Sequence, residues 1–364
     1  MRSSHALADA ICGRQGGWAR LAALEPAEVM RSATRHGVAP LLASRVPPDL
    51  DRDLGARLRA ESVRAAARDA ITGAALHQLT SAFSRASVEA LVFKGADLAY
   101  SCYPQSHLRP RIDSDILIAE RARATARQVL AHLGYAAVPQ SGGDLLMYQE
   151  PFVLRDGDRL LHTVDLHWRV ANPQQFGEVA PFYDLWAASE SRPRLGEAAR
   201  GLTPIHAFGL ACVHRVAHHY DDDRLIWTHD LHQLAQTMHQ TDWERLGEWA
   251  TTHRAATACA RGMALAAALF DSAIPADVLA ALVGAEAREP NTRRYLANGR
   301  HVDRILTDLA LMPSWTARAA LARQHVFPPA RYMRDVYAPG SPLPVPVLYI
   351  QRVWRGARRW MAKS

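Results

Sequence analysis

An α+β fold, with a small mixed sheet and its helices set between two helical units, is predicted by three features of this 364-residue chain. Apolar residues recur at helical spacing from Ala6 to Ala90, short apolar runs bounded by turn residues replace them from Leu91 to Ala171, and helical periodicity returns from Thr203 to about Gln324. The expected divisions are a helical unit over 1–90, an α/β core over 91–175, a second helical unit over 176–330 and a Pro-rich, basic tail over 331–364.

In the first unit Leu54, Leu58, Val63, Ala66, Ala70 and Leu76 mark one helical face, and Pro47-Pro48 interrupts the helices because proline removes a donor and clashes with the preceding turn. The core opens with a buried strand at Leu91 to Phe93 and a short helix at Asp97 to Tyr103. A strand at Asp115 to Ile118 and an Arg-rich amphipathic helix at Glu120 to Leu133, stopped by Gly134, come next. Leu145 to Arg155 and Leu160 to Val170 read as strands joined by the hairpin signal Asp156-Gly157-Asp158, so the sheet has an antiparallel edge. Thr203 before Pro204 predicts an N-cap with proline at the first helical position. After Phe327-Pro328-Pro329 come Pro339, Pro342, Pro344 and Pro346, and then the basic segment Tyr349 to Met361 with Trp354 and Trp360.

Hydrophobic content of 49% and charged content of 22% are those of a globular protein. No uninterrupted apolar span approaches the ~20 residues that cross a bilayer. Met1 to Trp18 contains no apolar signal core, and the four cysteines form no Cys-x-x-Cys pair, which together predict a cytoplasmic protein with reduced thiols. The net charge of +7 suits a polyanionic partner, whether a nucleic acid or a triphosphate, although no nucleic-acid recognition motif accompanies it.

The chemistry concentrates in Arg109-Pro110-Arg111-Ile112-Asp113-Ser114-Asp115 and in Val164-Asp165-Leu166-His167-Trp168. Asp113 and Asp115, one residue apart at the start of a strand, point to the same side while Ser114 points away. Two close carboxylates repel unless a cation lies between them, and a hard divalent cation takes such oxygens together with substrate phosphates. On spacing alone a solvated loop pair fits as well. His167 shares strand parity with Asp165, which fits either a substrate contact or a packing histidine. His214 and His218 stand at i, i+4, but the Glu of a His-Glu-x-x-His zinc site is absent, so packing is the simpler reading. Histidines near Tyr220, Arg224, Trp227 and Asp230 are placed to line the acceptor side of a cleft. For the tail cations Arg352, Arg355, Arg358, Arg359 and Lys363, a helix that packs its tryptophans is favoured over a membrane or nucleic-acid contact.

The ordered pieces Leu91-Val92-Phe93-Lys94-Gly95, Tyr103-Pro104, Arg109 through Asp115 and Val164 through Trp168 resemble the nucleotidyltransferase superfamily that includes DNA polymerase beta. Within it they are similar to the bacterial uncharacterised nucleotidyltransferase family. The resemblance implies the small mixed nucleotidyltransferase sheet and Mg2+-dependent transfer of an NMP from an NTP to an acceptor hydroxyl or phosphate. It implies that Asp113, Asp115 and Asp165 bind the metal, with Asp165 as third ligand or base, and that Lys94, Gly95, Arg109 and His167 contact the nucleotide side; by residue type alone an ordinary turn glycine at Gly95, a solvated Lys94 and a structural salt bridge at Arg109 are the alternatives. Lys-Gly stands where polymerase-like members have Gly-Ser or Gly-Gly, and Asp97 stands where the family has a small residue. Members look like companions of peptide natural-product pathways, which makes a small molecule or peptide the favoured acceptor. A catalytically silent nucleotide- or peptide-binding accessory protein and an RNA-directed transferase toxin are the alternatives.

Overall fold

Helices α1 (Arg2–Cys12), α2 (Gly17–Ala22), α3 (Pro26–Arg35), α4 (Ala39–Ala43) and the long α5 (Arg52–Arg85) precede the first strand, with Pro47-Pro48 between α4 and α5. The core then runs β1 (Ala90–Phe93), α6 (Lys94–Ser101), β2 (Ser114–Ile118), α7 (Arg123–His132), β3 (Ala136–Ala137), β4 (Gln149–Asp156) and β5 (Arg159–His167). Short α8 (Gln174–Gly177) and α9 (Phe182–Ala188) and the two-stranded β6 (Glu190–Ser191) and β7 (Arg200–Gly201) lead into the second helical region. There α10 (Pro204–His219), α11 (Leu225–Ala235), α12 (Gln240–Thr252), α13 (Ala256–Phe270), α14 (Ala276–Ala285) and α15 (Pro290–Ala297) are followed by α16 (His301–Leu311), α17 (Trp315–Val326), α18 (Ala330–Tyr332) and α19 (Val345–Met361). This computed structural model describes all residues except 1, 51, 141, 144, 178, 220, 223, 298–300, 338–342 and 362–364. Tyr220, Pro339, Pro342 and Lys363 lie outside the described residues, as do the side chains of Arg355, Arg358, Arg359 and Trp360.

The fold is α+β with a mixed five-stranded sheet in the order β1-β2-β5-β4-β3. β1 and β2 are antiparallel, β2 and β5 parallel, and β4 pairs antiparallel with both β5 and β3. The hairpin between β4 and β5 turns at Gly157, whose φ of +55° suits a residue without a Cβ. Alternation sends the two faces of the sheet into different cores. Val92, Ile116, Ile118, Val164 and Leu166 pack with α5 and α7 through Leu76, Phe83, Ala126 and Leu130. Leu91, Phe93 and Leu117 face a larger cluster that includes Phe208, Leu210 and Val213 of α10. Asp115, Asp165 and His167 share parity with Leu117, so these three side chains lie on the α10 side, while His162 of β5 lies on the other face against Tyr135.

Several boundaries differ from expectation. The first core helix starts at Lys94 rather than Asp97, and β4 starts at Gln149. The two-residue pairs β6 and β7, and the edge strand β3, were not expected, because a ladder that short carries no readable periodicity. Thr203 accepts the His206 N–H at 3.4 Å, as an N-cap for α10 should. Trp354, expected to pack, is 81% exposed, because Leu348 and Met333 make the buried apolar contact of α19 instead. Among the described residues no helix is long and apolar enough to cross a membrane.

Candidate active site

β2 and β5 run side by side in parallel register, which sets Asp115 beside Asp165 and Leu117 beside His167. One ligand atom from each of Asp115, Asp165 and His167 lies within 4.8 Å of the others. Asp113, just ahead of β2, is half-buried and lines the same cavity of about 380 Å³ without joining that group. Asp115, Asp165 and His167 thus stand together, whereas Asp113, which strand parity sets on the side of Asp115, precedes β2 and lies at the rim.

Lys94 supplies the positive charge. Its Nζ lies 2.6 Å from Asp115 Oδ1 and 3.4 Å from His167 Nε2. To reach there the residue turns from β1 into α6 with φ of +56°, a left-handed conformation that a side chain disfavours by about 1–2 kcal/mol. Such strain persists where the surrounding structure requires the side chain in one place. His167 Nε2 lies 2.9 Å from the same Asp115 oxygen. Burial and the Lys94 charge lower the His167 pKa to about 4, so the ring is neutral near pH 7 and donates that bond. Burial opposes ionisation of Asp115, but Lys94 and His167 outweigh it and hold the carboxyl below the usual range. Both contacts fall on Oδ1, which leaves Oδ2 as the oxygen to take a ligand.

Asp165 has no such cation. Gln149 Nε2 donates to its Oδ2 at 2.7 Å, and Asn172 Nδ2 holds Gln149 Oε1 at 3.2 Å. Burial, then the charges of Asp115 and Asp113, push the Asp165 pKa up to about 7. A folded pKa above the ~3.9 of an unfolded aspartate means that ionised Asp165 disfavours the folded state, fully above pH 7 and progressively less as the pH falls toward 4. Asp165→Asn should raise the metal-free protein's stability at pH 8 by about 2 kcal/mol, allowing for solvent screening, and change it little at pH 4.5. Thermal melts at the two pH values test this, and equal midpoints for both proteins at pH 8 would refute a strained carboxylate pair.

Arg109 does not reach the carboxylates. It is buried, and its Nε and Nη2 donate to Asp230 of α11 at 2.8 Å each while Nη1 donates to Pro110 O at 2.9 Å. Tyr103 donates its hydroxyl to the same Asp230 at 2.7 Å. Because that single proton is used, His229 Nδ1, 2.9 Å from the Tyr103 oxygen, must be the donor of their contact. Gly95 is needed here for a reason other than phosphate approach, since a Cβ on it would meet the Arg109 guanidinium at 2.9–3.0 Å. Asp97 faces away from the cavity: it bonds Arg192 at 2.5 Å and the Leu202 N–H at 3.1 Å, beneath the β6–β7 ladder.

α10 and α11 form the opposite wall. His214, His218, His219, Arg224 and Trp227 line the cavity, with the His219 ring stacked 3.9 Å from Trp227; His214 and His218, read from spacing as packing residues, are half-buried and face it. Burial first, then the Lys94 charge, lowers the pKa values of all three histidines, so the charged groups of this wall near neutral pH are Arg224 and Asp230, the latter paired with Arg109. Among the described residues these histidines join no metal-binding group. Sequence reasoning missed Gln149, Asn172 and His162. His162 spans Tyr135 and Ser114 at 2.7 and 2.9 Å and so fixes the start of β2 from behind. None of the three carries a local signal, because each acts through a partner made adjacent only by the sheet.

The donor set fits a hard divalent cation. If Asp113, Asp115 and Asp165 all ionise, Lys94 offsets one charge of three, and the raised Asp165 pKa is the measure of what is unbalanced. Carboxylate oxygens are the ligands Mg2+ prefers, and His167, already bonded to Asp115, orients that carboxylate.

Comparison with known proteins points to the same region. The model of a family described as an uncharacterised nucleotidyltransferase matches residues 22–271, which include every residue that lines this cavity. No curated protein matches the chain.

Proposed function

The chain belongs to the uncharacterised nucleotidyltransferase family, and from that membership we propose that it moves an NMP from an NTP to an acceptor hydroxyl or phosphate in a Mg2+-dependent reaction that releases pyrophosphate. The observation that carries this reading is the side-by-side placement of Asp115 and Asp165 on parallel strands, open to a cavity with Lys94 at its floor. Asp113, Asp115 and Asp165 would hold the cation. When bound, it would neutralise phosphate charge and polarise the transferred phosphoryl group. Asp165, whose Oδ2 is held by Gln149 beside Asp115, is the carboxylate placed to take the acceptor's proton. Lys94, paired with Asp115 at 2.6 Å, would be the point charge for the phosphates. Arg109 and Gly95 support the site from behind through Asp230, and His167 sets the Asp115 carboxyl. In-line phosphoryl chemistry asks mainly for positioning and charge, which so few residues can supply.

One observation favours the silent-binder alternative: the Lys94–Asp115 ion pair at 2.6 Å already gives one carboxylate a resident cation. Thermal melts with each NTP, with and without Mg2+, separate the two readings. A bound nucleotide at a hundredfold excess over Kd adds about 2.7 kcal/mol to the folded state. The transferase reading expects that gain only with Mg2+ and expects its loss in Asp113→Ala. Stabilisation by NTP that ignores Mg2+ would support the silent binder.

A further inference from the structure

We propose that the acceptor is an extended, acidic polypeptide segment that pairs with the open edge of β5 and presents a side-chain hydroxyl to the carboxylates. This rests on the transfer reading above and adds the acceptor class. β2 covers β5 only from Val164 to His167, whereas β4 pairs with β5 along its whole length. Residues 159–163 are thus paired on one side alone, and among the described residues no backbone hydrogen bond meets their other edge. Proteins usually shorten, bend or cover such an edge. Here it lines a groove of about 510 Å³, with α5 and the 107–112 loop as the other walls.

The groove leads to the site. Arg109, Pro110, Arg111, Ile112 and Arg224 line both it and the carboxylate cavity. A strand added beside 159–163 would point one end at this shared wall, two residues along β5 from Asp165. The chemistry of the groove selects the occupant. A sheet edge offers alternating donors and acceptors, which a peptide backbone matches and a phosphodiester backbone, an acceptor alone, does not. Arg68 and Arg111 are neutralised by Glu61 and Asp69 at 2.9 and 2.7 Å. Arg159 has no ion pair among the described residues, and Arg224 Nε has no hydrogen-bond partner among them. Arg159 without an ion pair and Arg224 with an unsatisfied Nε, though near Asp222, favour acidic side chains. Ile112, 80% exposed, and Leu160, 48% exposed, offer apolar contact to alternate positions of the incoming strand.

In the reaction the peptide's seryl or threonyl oxygen forms a bond to the α-phosphorus of the NTP. The bridging bond from the α-phosphorus to the β-phosphate oxygen breaks, pyrophosphate leaves with that electron pair, and the hydroxyl proton passes to Asp165 and then to water.

The probe is the blocked hexapeptide Val-Glu-Val-Ser-Val-Glu, with a lysine-for-glutamate version as control. Hydrogen exchange of amides 159–163 is followed without nucleotide, and Mg2+-dependent stabilisation by NTP is measured separately on the same protein. The expected result is at least tenfold slower exchange at 159–163 with the acidic peptide. It should be absent with the lysine peptide, lost in Arg159→Glu at an unchanged melting temperature, and followed, when Mg2+ and NTP are added, by the mass of one NMP on the serine. No protection while NTP still stabilises the protein would overturn the inference and leave the transfer reading standing. Protection without any NTP stabilisation would overturn both, since no transfer would remain for the peptide to accept. Protection that grows with protein concentration alone assigns the edge to a second copy, and equal protection by a single-stranded RNA assigns it to nucleic acid. Either of these overturns the proposal.

Discussion

Asp115→Asn should abolish nucleotidyl transfer, with a loss of at least about 10³-fold, or ~4 kcal/mol of transition-state stabilisation, while the protein stays folded. The substitution keeps the shape of the side chain and an oxygen for the Lys94 and His167 contacts at 2.6 and 2.9 Å, so the local packing survives. What goes is the charge on the carboxylate of this cluster that Lys94 and His167 keep ionised against the cost of burying it. Lys94 then has Asp165 and Asp113 left to balance it, which draws the lysine deeper into the carboxylates when it should face phosphate. Pyrophosphate release from each NTP, read beside far-UV circular dichroism and the melting temperature, checks both halves of the expectation. A folded Asp115→Asn protein with turnover within tenfold of wild type would remove Asp115 from the centre of the site. Asp165→Asn should differ in kind. As the proton acceptor it should lower kcat more than it raises KM.

How much of this site was legible in the chain depends on the range of the interaction that builds it. The two strands and their hairpin follow from alternation and from Asp156-Gly157-Asp158, and the common facing of Asp165 and His167 follows from parity alone. Parity also placed Asp115 correctly. Asp113 precedes β2, where no pleat constrains it, and the structure sets it at the rim outside the closest cluster. Register was less accessible: a bulge between Leu154 and Arg155 shifts the hairpin by one residue, so counting back from the turn would not have brought Gln149 to Asp165. Arg109 shows the limit most plainly. Its place beside the aspartates fitted either charge at the site or a structural salt bridge; the structure has the salt bridge, with a partner 121 residues away on α11 that the sequence did not name. Tyr103, Arg109 and Asp230 each belong to a separate short motif of the chain, and in three dimensions they are one buried network. Motif residues close in sequence to the chemistry are here divided between groups that face the cavity and groups that hold its walls.

That division sets the largest expected effect on stability. Asp230→Asn should destabilise the protein by about 3–5 kcal/mol, the cost of leaving a buried cation without its counter-charge, against a total of about 5–15 kcal/mol for a folded domain. Arg109 and Asp230 are both buried, and the pair is bidentate, so neither water nor a rotamer change can replace the lost carboxylate. Gly95→Ala attacks the same network from the other side. Its new Cβ would press on a guanidinium that three hydrogen bonds hold in place, so the usual escape of a flexible side chain is closed. Both variants should unfold at lower denaturant with an unchanged slope. The double substitution Arg109→Met with Asp230→Leu should recover much of the loss, because removing both charges also removes the uncompensated one. Denaturant titrations of Asp230→Asn, Gly95→Ala and the double substitution, with Arg109→Met and Asp230→Leu alone to close the cycle, read these outcomes. If either single change costs less than about 1 kcal/mol, the median for exposed ion pairs, the Arg109–Asp230 pair is solvated in practice and does not brace the site. If the double variant is as unstable as Asp230→Asn, the network matters for its shape more than for its charge, and Tyr103 and His229 become the residues to vary next.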